Sequence, residues 1–434
     1  MSITRPVSRE TLASIPWMSG KSLSHAMREV SLRGPNDAET WRNLLSRADV
    51  IVESLNAKQS ALILNAISRV GDFAIDYEPF LRRFVKKFLI RVIDQCNALD
   101  VAQLVHALAS FQLAPAEVLT KLRGQIALKA NEMEEKELSM TAVGLAKLDP
   151  TNPHLPSVEA VLERGSQLCK SPHCLNDQTV AQLLSLAKTF GMQKERLISP
   201  LVERATILVH SDDPSATSAR SAVLILACLS TSTQNAEYVS GFIEKFLGSS
   251  KTSRNLSLKQ LIVTLRSLQK LGVTESNPAA IHRMIDNITN RMTRTSETET
   301  AALDGTTLCM LLNSLSRISS CVETRLFNTV LTTIFIESKN ISSSDATVLM
   351  QSLARVGKNT LDPALIDSIL TKVYSIELSG KELSIVAVAL SRIYGAQMSV
   401  KTFQWVADRC KFLQQIHAIS DTDLASVRIH LDKV

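Results

Sequence analysis

Aromatic residues are scarce: Phe, Trp and Tyr together make up 4% of the 434-residue chain. Surfaces that grip single-stranded bases do so by stacking them on such rings, so the scarcity argues against a stacking platform. Glycine is also sparse, at 14 residues, and no run alternates apolar and polar residues with period two over the length of a strand. β-Sheet is therefore not expected. No stretch approaches the length of consecutive apolar sequence that a membrane-crossing helix needs.

The signatures of catalysis are missing as well. There is no HExxH, GxSxG or GxGxxG, and no carboxylate pair in a cleft-like context. Gly20-Lys21-Ser22 ends like a phosphate-binding loop, but Ile15 stands where the earlier glycine is required. Seven cysteines, odd in number and mostly isolated in helical patterns, read as small buried hydrophobes of a reducing compartment. Cys169, His173 and Cys174 lie close together, yet no second ligand pair accompanies them: His154 and His210 are the nearest other histidines and neither sits in such a pair. The expectation is a chain that is not an enzyme, with no cofactor and no metal.

What is present is a recurring helical stripe. In Val348 to Gly357 (VLMQSLARVG), Leu349, Leu353 and Val356 fall at i, i+4 and i+7, and Gly357 stops the helix. The stripe returns as Leu23/Met27/Val30, Ile63/Ile67/Val70, Leu104/Leu108/Phe111, Leu183/Ala187/Phe190, Leu311/Leu315/Ile318, Val386/Leu390/Ile393 and Val427/Leu431/Val434. Weaker copies centre on Leu145, Leu229 and Leu268, and the Leu229 copy is the least regular, with Ser232 where the third stripe residue is due. From Met27 to Leu431 the period is about 40 residues. The predicted fold is all-α: a solenoid of antiparallel helix pairs, roughly ten of them, of armadillo/HEAT type. One array over 21–434 is expected, with a basic, unstructured lead-in over 1–20 and a polar, mobile loop over 293–305.

Net charge is +6, a mild lean toward acidic partners. Two groups of cations are the candidate phosphate contacts. Phe80 to Ile93 (FLRRFVKKFLIRVI) reads as one helix burying Phe80, Leu81, Phe84, Val85, Phe88, Leu89, Val92 and Ile93, with Arg82, Arg83, Lys86, Lys87 and Arg91 opposite. No acid lies between Glu78 and Asp94, so the five cations read as uncompensated, and counterion release favours phosphate there. The alternative is an ordinary solvated face. A second row places a cation two residues after the stripe's centre, at Arg69, Lys147, Lys270, Arg317, Arg355 and Arg392, with Lys188 one place out and Ser110 breaking the rule. Aligned in a stack, these form a stripe, of which Arg317, Arg355 and Arg392 are the weaker candidate site; alternatively, each only complements its helix's negative end.

Copies such as Leu183-Leu184-Ser185-Leu186-Ala187-Lys188 and Met350-Gln351-Ser352-Leu353-Ala354-Arg355-Val356-Gly357 resemble those of organellar helical-repeat proteins of RNA metabolism. These are the FAST-kinase-like and RAP-associated arrays, here without a RAP-type domain, and the kinetoplastid mitochondrial scaffolds of guide-RNA editing or ribosome assembly. The resemblance implies a non-catalytic scaffold of the mitochondrial matrix that contacts RNA and proteins of a ribonucleoprotein complex. Arg5, Arg9 and several Ser and Thr in the first 20 residues, with Glu10 as the single acid, echo a transit peptide, although Pro6 and Pro16 interrupt its helix. The period of about 40 does not fit a pentatricopeptide array, so no base-reading residues are expected. The alternative function is an armadillo/HEAT-type protein adaptor with no RNA contact.

Overall fold

A computed structural model describes residues 13–33, 38–70, 77–148, 155–171, 175–213, 215–229, 235–248, 255–294, 303–318, 324–336, 340–357, 362–395 and 398–431. Every regular element among these residues is helical. Where the sequence reads as one array, the chain forms two compact units, 1–228 and 229–434, and the boundary falls at the irregular Leu229 copy.

The first unit runs through α1 (Gly20–Arg33), α2 (Ala38–Val50), α3 (Ala57–Ile67), α4 (Glu78–Arg83), α5 (Ala98–Phe111), α6 (Ala116–Lys129), α7 (Glu135–Leu148), α8 (Leu155–Cys169), α9 (Asp177–Thr189), α10 (Glu195–His210) and α11 (Ala219–Leu229). Within it α1, α3, α5, α7 and α9 stack side by side as the first helices of successive pairs, and α6, α8 and α10 stack as second helices. The second unit holds α12 (Ala236–Phe242), α13 (Leu258–Lys270), α14 (Pro278–Arg294), α15 (Gly305–Leu315), α16 (Thr324–Ile336), α17 (Ser343–Val356), α18 (Pro363–Tyr374), α19 (Gly380–Tyr394), α20 (Val400–Gln415) and α21 (Asp421–Leu431). There α13, α15, α17, α19 and α21 form the stack of first helices. Each pair buries its stripe against its neighbours: Leu104, Leu108, Leu311, Leu349 and Leu390 are fully enclosed.

A polar cap sets the register of the first helices α1, α3, α5, α9, α11, α13, α15, α17, α19 and α21. Ser19, Asn56, Asn97, Asn176, Ser218, Ser257, Asp304, Ser342, Ser379 and Ser420 each accept a hydrogen bond from the backbone N–H three residues on. From Asn56 onward the cap stands eleven residues before the stripe's centre. In the first pair Ser19 puts Val30, not Met27, at that place, which corrects the reading of that copy by one helical turn. The caps and first turns of neighbouring first helices also bond to one another along the stacks. Asp177 Oδ2 accepts from Ser218 N (2.7 Å), Thr306 Oγ1 donates to Asp345 (2.8 Å), and Ser343 Oγ donates to Glu382 (2.8 Å).

Phe80 to Ile93 is not one α-helix. α4 passes at Phe84 into a π-helical stretch ending at Leu89, followed by a last α-turn at Ile90–Val92. The cause is the four-residue spacing of Leu81, Val85, Leu89 and Ile93. At 3.6 residues per turn, positions four apart drift by about 40° each step, so the fourth would leave the buried face. The wider turn cancels the drift, and all four are buried. Phe88 and Val92 are thereby left half-buried, not buried. The same device recurs after α12, where Tyr238, Phe242 and Phe246 are four apart and Ile243–Leu247 is π-helical.

Two boundary expectations change. Residues 1–12 lie outside the described residues, but 13–20 is not an unstructured lead-in: it makes a helical turn, with Ile15 fully buried, and Gly20 opens α1. Of the loop read over 293–305, residues 295–302 lie outside the described residues, and its flanks are the end of α14 and the Asp304 cap of α15.

Candidate nucleic-acid interface

Folding consumes many of the chain's cations. In five pairs an arginine of the second helix donates to the carbonyl of the residue just before the first helix's cap. These are Arg47 Nε to Met18 O (3.0 Å), Arg164 Nε to Met133 O (2.9 Å), Arg204 Nε to Leu175 O (3.0 Å), Arg291 Nη1 to Leu256 O (2.7 Å) and Arg409 Nη2 to Leu378 O (3.1 Å). Lys121, Arg283 and Lys372 instead reach carbonyls at the end of the preceding second helix: Ile90, Leu247 and Ile334. A carbonyl there has lost its helical partner, so a charged donor satisfies it. None of these eight contacts was legible as such in the sequence, because each joins residues 29 to 38 positions apart.

The basic face of α4 and its π-helical continuation is partly compensated, contrary to the reading of five free charges. Arg82 pairs with Glu78 one turn earlier (Nε to Oε1, 2.8 Å), and Arg83 pairs with Asp49 at the end of α2 (2.7 Å). Glu78 lay just outside the window that contains no acid, and Asp49 is 34 residues away in sequence. All five cations are exposed as expected, but Lys86 and Lys87 are the two without a partner among the described residues. Arg91 lies over the Phe88 ring, 5.5 Å from its centroid. Beside them a cleft of about 490 Å³ is lined by Val50, Ile51, Val52, Phe88, Arg83 and Glu53 among others.

In the second unit the ends of α15, α17 and α19 place Arg317 and Arg392 on either side of Arg355 in the stack, near enough for both charges to act on it. All three are exposed. Asn313 Oδ1 accepts from Arg317 Nε (3.3 Å) and from Arg355 Nη1 (2.8 Å), and Ser316 Oγ lies 3.4 Å from the same nitrogen. Burial first, and then the positive charges of Arg317 and Arg392, lower the Arg355 pKa from its ordinary value. No carboxylate among the described residues forms an ion pair with any of the three. An arrangement of three guanidiniums without an acid favours an anion between or across them.

The equivalent place in the first unit carries Arg69, Lys147 and, one residue off, Lys188. Lys188 Nζ donates to Ala227 O on α11 (2.6 Å), so it serves the stack. His106 of α5 feels both Arg69 and Lys147: burial and then those two charges hold its imidazole below the usual histidine range. Cys96, Cys228 and Cys309 have thiols pushed by burial to about 12, 11 and 12, far from a reactive thiolate. His173 and Cys174 lie outside the described residues. Among the described residues no helix is long and apolar enough to cross a membrane.

No protein-family model matches the chain, and no curated protein does. Among solved structures, the chain is similar to one in a homology model of the full-length AP-3 complex in an intermediate open conformation, at 13% identity and a TM-score of 0.33, covering 97% of this chain and 75% of that one.

Proposed function

We propose that this chain is a non-catalytic helical-repeat scaffold that holds RNA through phosphate contacts and works in a mitochondrial ribonucleoprotein. The observation that carries the RNA contact is the Arg317, Arg355 and Arg392 row, three exposed guanidiniums, the first two held by Asn313, and none paired with an acid among the described residues. Arg forks suit phosphate oxygens, and such contacts position a strand without reading its sequence. The mitochondrial setting rests on the resemblance of the stripes to organellar RNA-metabolism arrays and on the basic, hydroxyl-rich first 20 residues. The cleft at Phe88 and Val50, lined by apolar and charged side chains alike with Lys86 and Lys87 on the same helical run as Phe88, suits a protein partner and favours the adaptor as the second reading.

RNA binding by the full chain, measured across a salt series, tests the proposal. Three phosphate contacts to a single strand predict that R317Q/R355Q/R392Q lowers the slope of log K against log salt by about 2. No detectable RNA binding by the folded wild type would sink this reading and promote the adaptor. Fractionation of cells expressing the full-length chain tests the compartment.

A further inference from the structure

We propose that the cleft beside the π-helical stretch of the first unit is a docking site for a protein segment that carries one apolar anchor flanked by acidic residues. The proposal gives the adaptor reading the chemistry of its partner, and it stands whether or not the arginine row of the second unit holds RNA.

The cleft owes one wall to the widened helix. Arg83 and Phe88 both line it, five residues apart. On an α-helix, side chains at that spacing point about 140° away from each other. Phe84–Leu89 is π-helical with Arg83 at its cap, and a π-turn closes its hydrogen bonds over five residues, which sets the two on one side. The spacing of the buried Leu81, Val85, Leu89 and Ile93 imposes that turn, and the cleft is what it leaves on the outer side. Such wide turns are frequent at functional sites. The opposite wall is the end of α2 and the turn after it, Asp49 to Ser54. A volume of about 490 Å³ is that of a pocket able to enclose a small ligand or a few side chains.

The lining defines the occupant. Val50 is 73% exposed and Phe88 is half-buried, so apolar area is left in water, and covering it is favourable. Within the lining Arg83 is neutralised by Asp49. Lys87, next to Phe88 and four residues after Arg83, is exposed and without a partner among the described residues, as is Lys86 beside it. Against these two charges and that of Arg91 stands Glu53, so the rim is net positive. An apolar anchor covers Val50 and Phe88 while acidic neighbours meet Lys86 and Lys87, and charge complementarity of this kind selects the partner. Nucleic acid fits the lining less well. Arg91 already covers one face of the Phe88 ring, and Glu53 repels phosphate.

The probe is a display library of random 12-residue peptides, panned on the full chain. Enriched peptides are then synthesised with a fluorophore and their affinity is read by anisotropy. We expect a consensus with an aliphatic or aromatic residue beside Asp or Glu. K86E/K87E should weaken its binding about tenfold or more, and V50Q should weaken it as well. Lysine in place of the peptide's acids should restore binding to K86E/K87E. The three replaced side chains are exposed, and circular dichroism with the unfolding midpoint checks that each variant is folded. R317Q/R355Q/R392Q should bind the peptides as the wild type does, so this site and the RNA reading fail separately. No enriched peptide, a consensus without acids, or equal binding by wild type and both cleft variants overturns the site. So does RNA affinity that drops in K86E/K87E while peptide affinity does not, which makes this a phosphate-binding face.

Discussion

Asn313 Oδ1 accepts a 2.8 Å hydrogen bond from Arg355 Nη1, across 42 residues of sequence and from one first helix to the next. The same oxygen takes Arg317 Nε, so one amide orients two guanidiniums. Removing it leaves both charges present but free to move. Asn313→Ala is therefore expected to weaken RNA binding about two- to tenfold, the cost of ordering one side chain at about 0.5–1.5 kcal/mol, with an unchanged salt slope. A salt slope that falls as in the triple arginine variant would mean that Asn313 does more than position.

The arginines of the second helices have a different duty. Arg164 holds Met133 O and Arg204 holds Leu175 O, both at the entry to a first helix. Arg164→Met leaves that carbonyl without its charged donor, an expected loss of about 1–3 kcal/mol in denaturant unfolding. RNA affinity at constant salt should hardly change, since this guanidinium is spent on the fold.

Gly144 of α7 packs against α5 so closely that an added Cβ would lie 2.9 Å from the backbone carbon and oxygen of Val105. Backbone cannot turn aside as a side chain can. Gly144→Ala is expected to destabilise the protein by about 1–3 kcal/mol, despite alanine's better helix propensity, as read by thermal unfolding. Gly124→Ala, where an added Cβ meets nothing within 4 Å, is the control and should be neutral or stabilising.

Asp304, the cap of α15, has its pKa lowered to about 2, first by the hydrogen bond from Lys259 and then by that from Thr307. The folded value lies below the model-compound value of 3.8, so the carboxylate's contribution is full above pH 3.8 and is lost as pH falls toward 2. Both members of the Lys259 pair are about half exposed, so the ion pair is worth only ~0.2–1 kcal/mol. Lys259→Met should raise the Asp304 pKa, observed by carboxyl ¹³C titration, and move the acid loss of stability to higher pH. An unchanged Asp304 titration would assign the shift to the Thr307 contacts.

The helical class and the period were readable because both are local. A stripe at i, i+4 and i+7, a polar cap eleven residues before its centre and a glycine such as Gly357 after it are all set within one helix. Even the π-helical stretch had a local signal, the four-residue spacing of Leu81, Val85, Leu89 and Ile93, although the stretch reads as an ordinary α-helix when only the apolar face is counted. The convergence of Arg317, Arg355 and Arg392 was likewise implied by their common place in the period.

What the chain alone could not decide is which cations remain available. Charge is a property of the residue, but its compensation depends on which partner arrives from 29 to 42 residues away: Asp49 to Arg83, Met133 O to Arg164, Asn313 to Arg355. The same holds for Val50 and Phe88, whose type and position are in the sequence while the cleft they share is not. Sequence determined the repeating unit, because a helix is encoded by its own neighbours. Tertiary packing decided the surface, because stacking places carbonyls, carboxylates and cations from different repeats against one another.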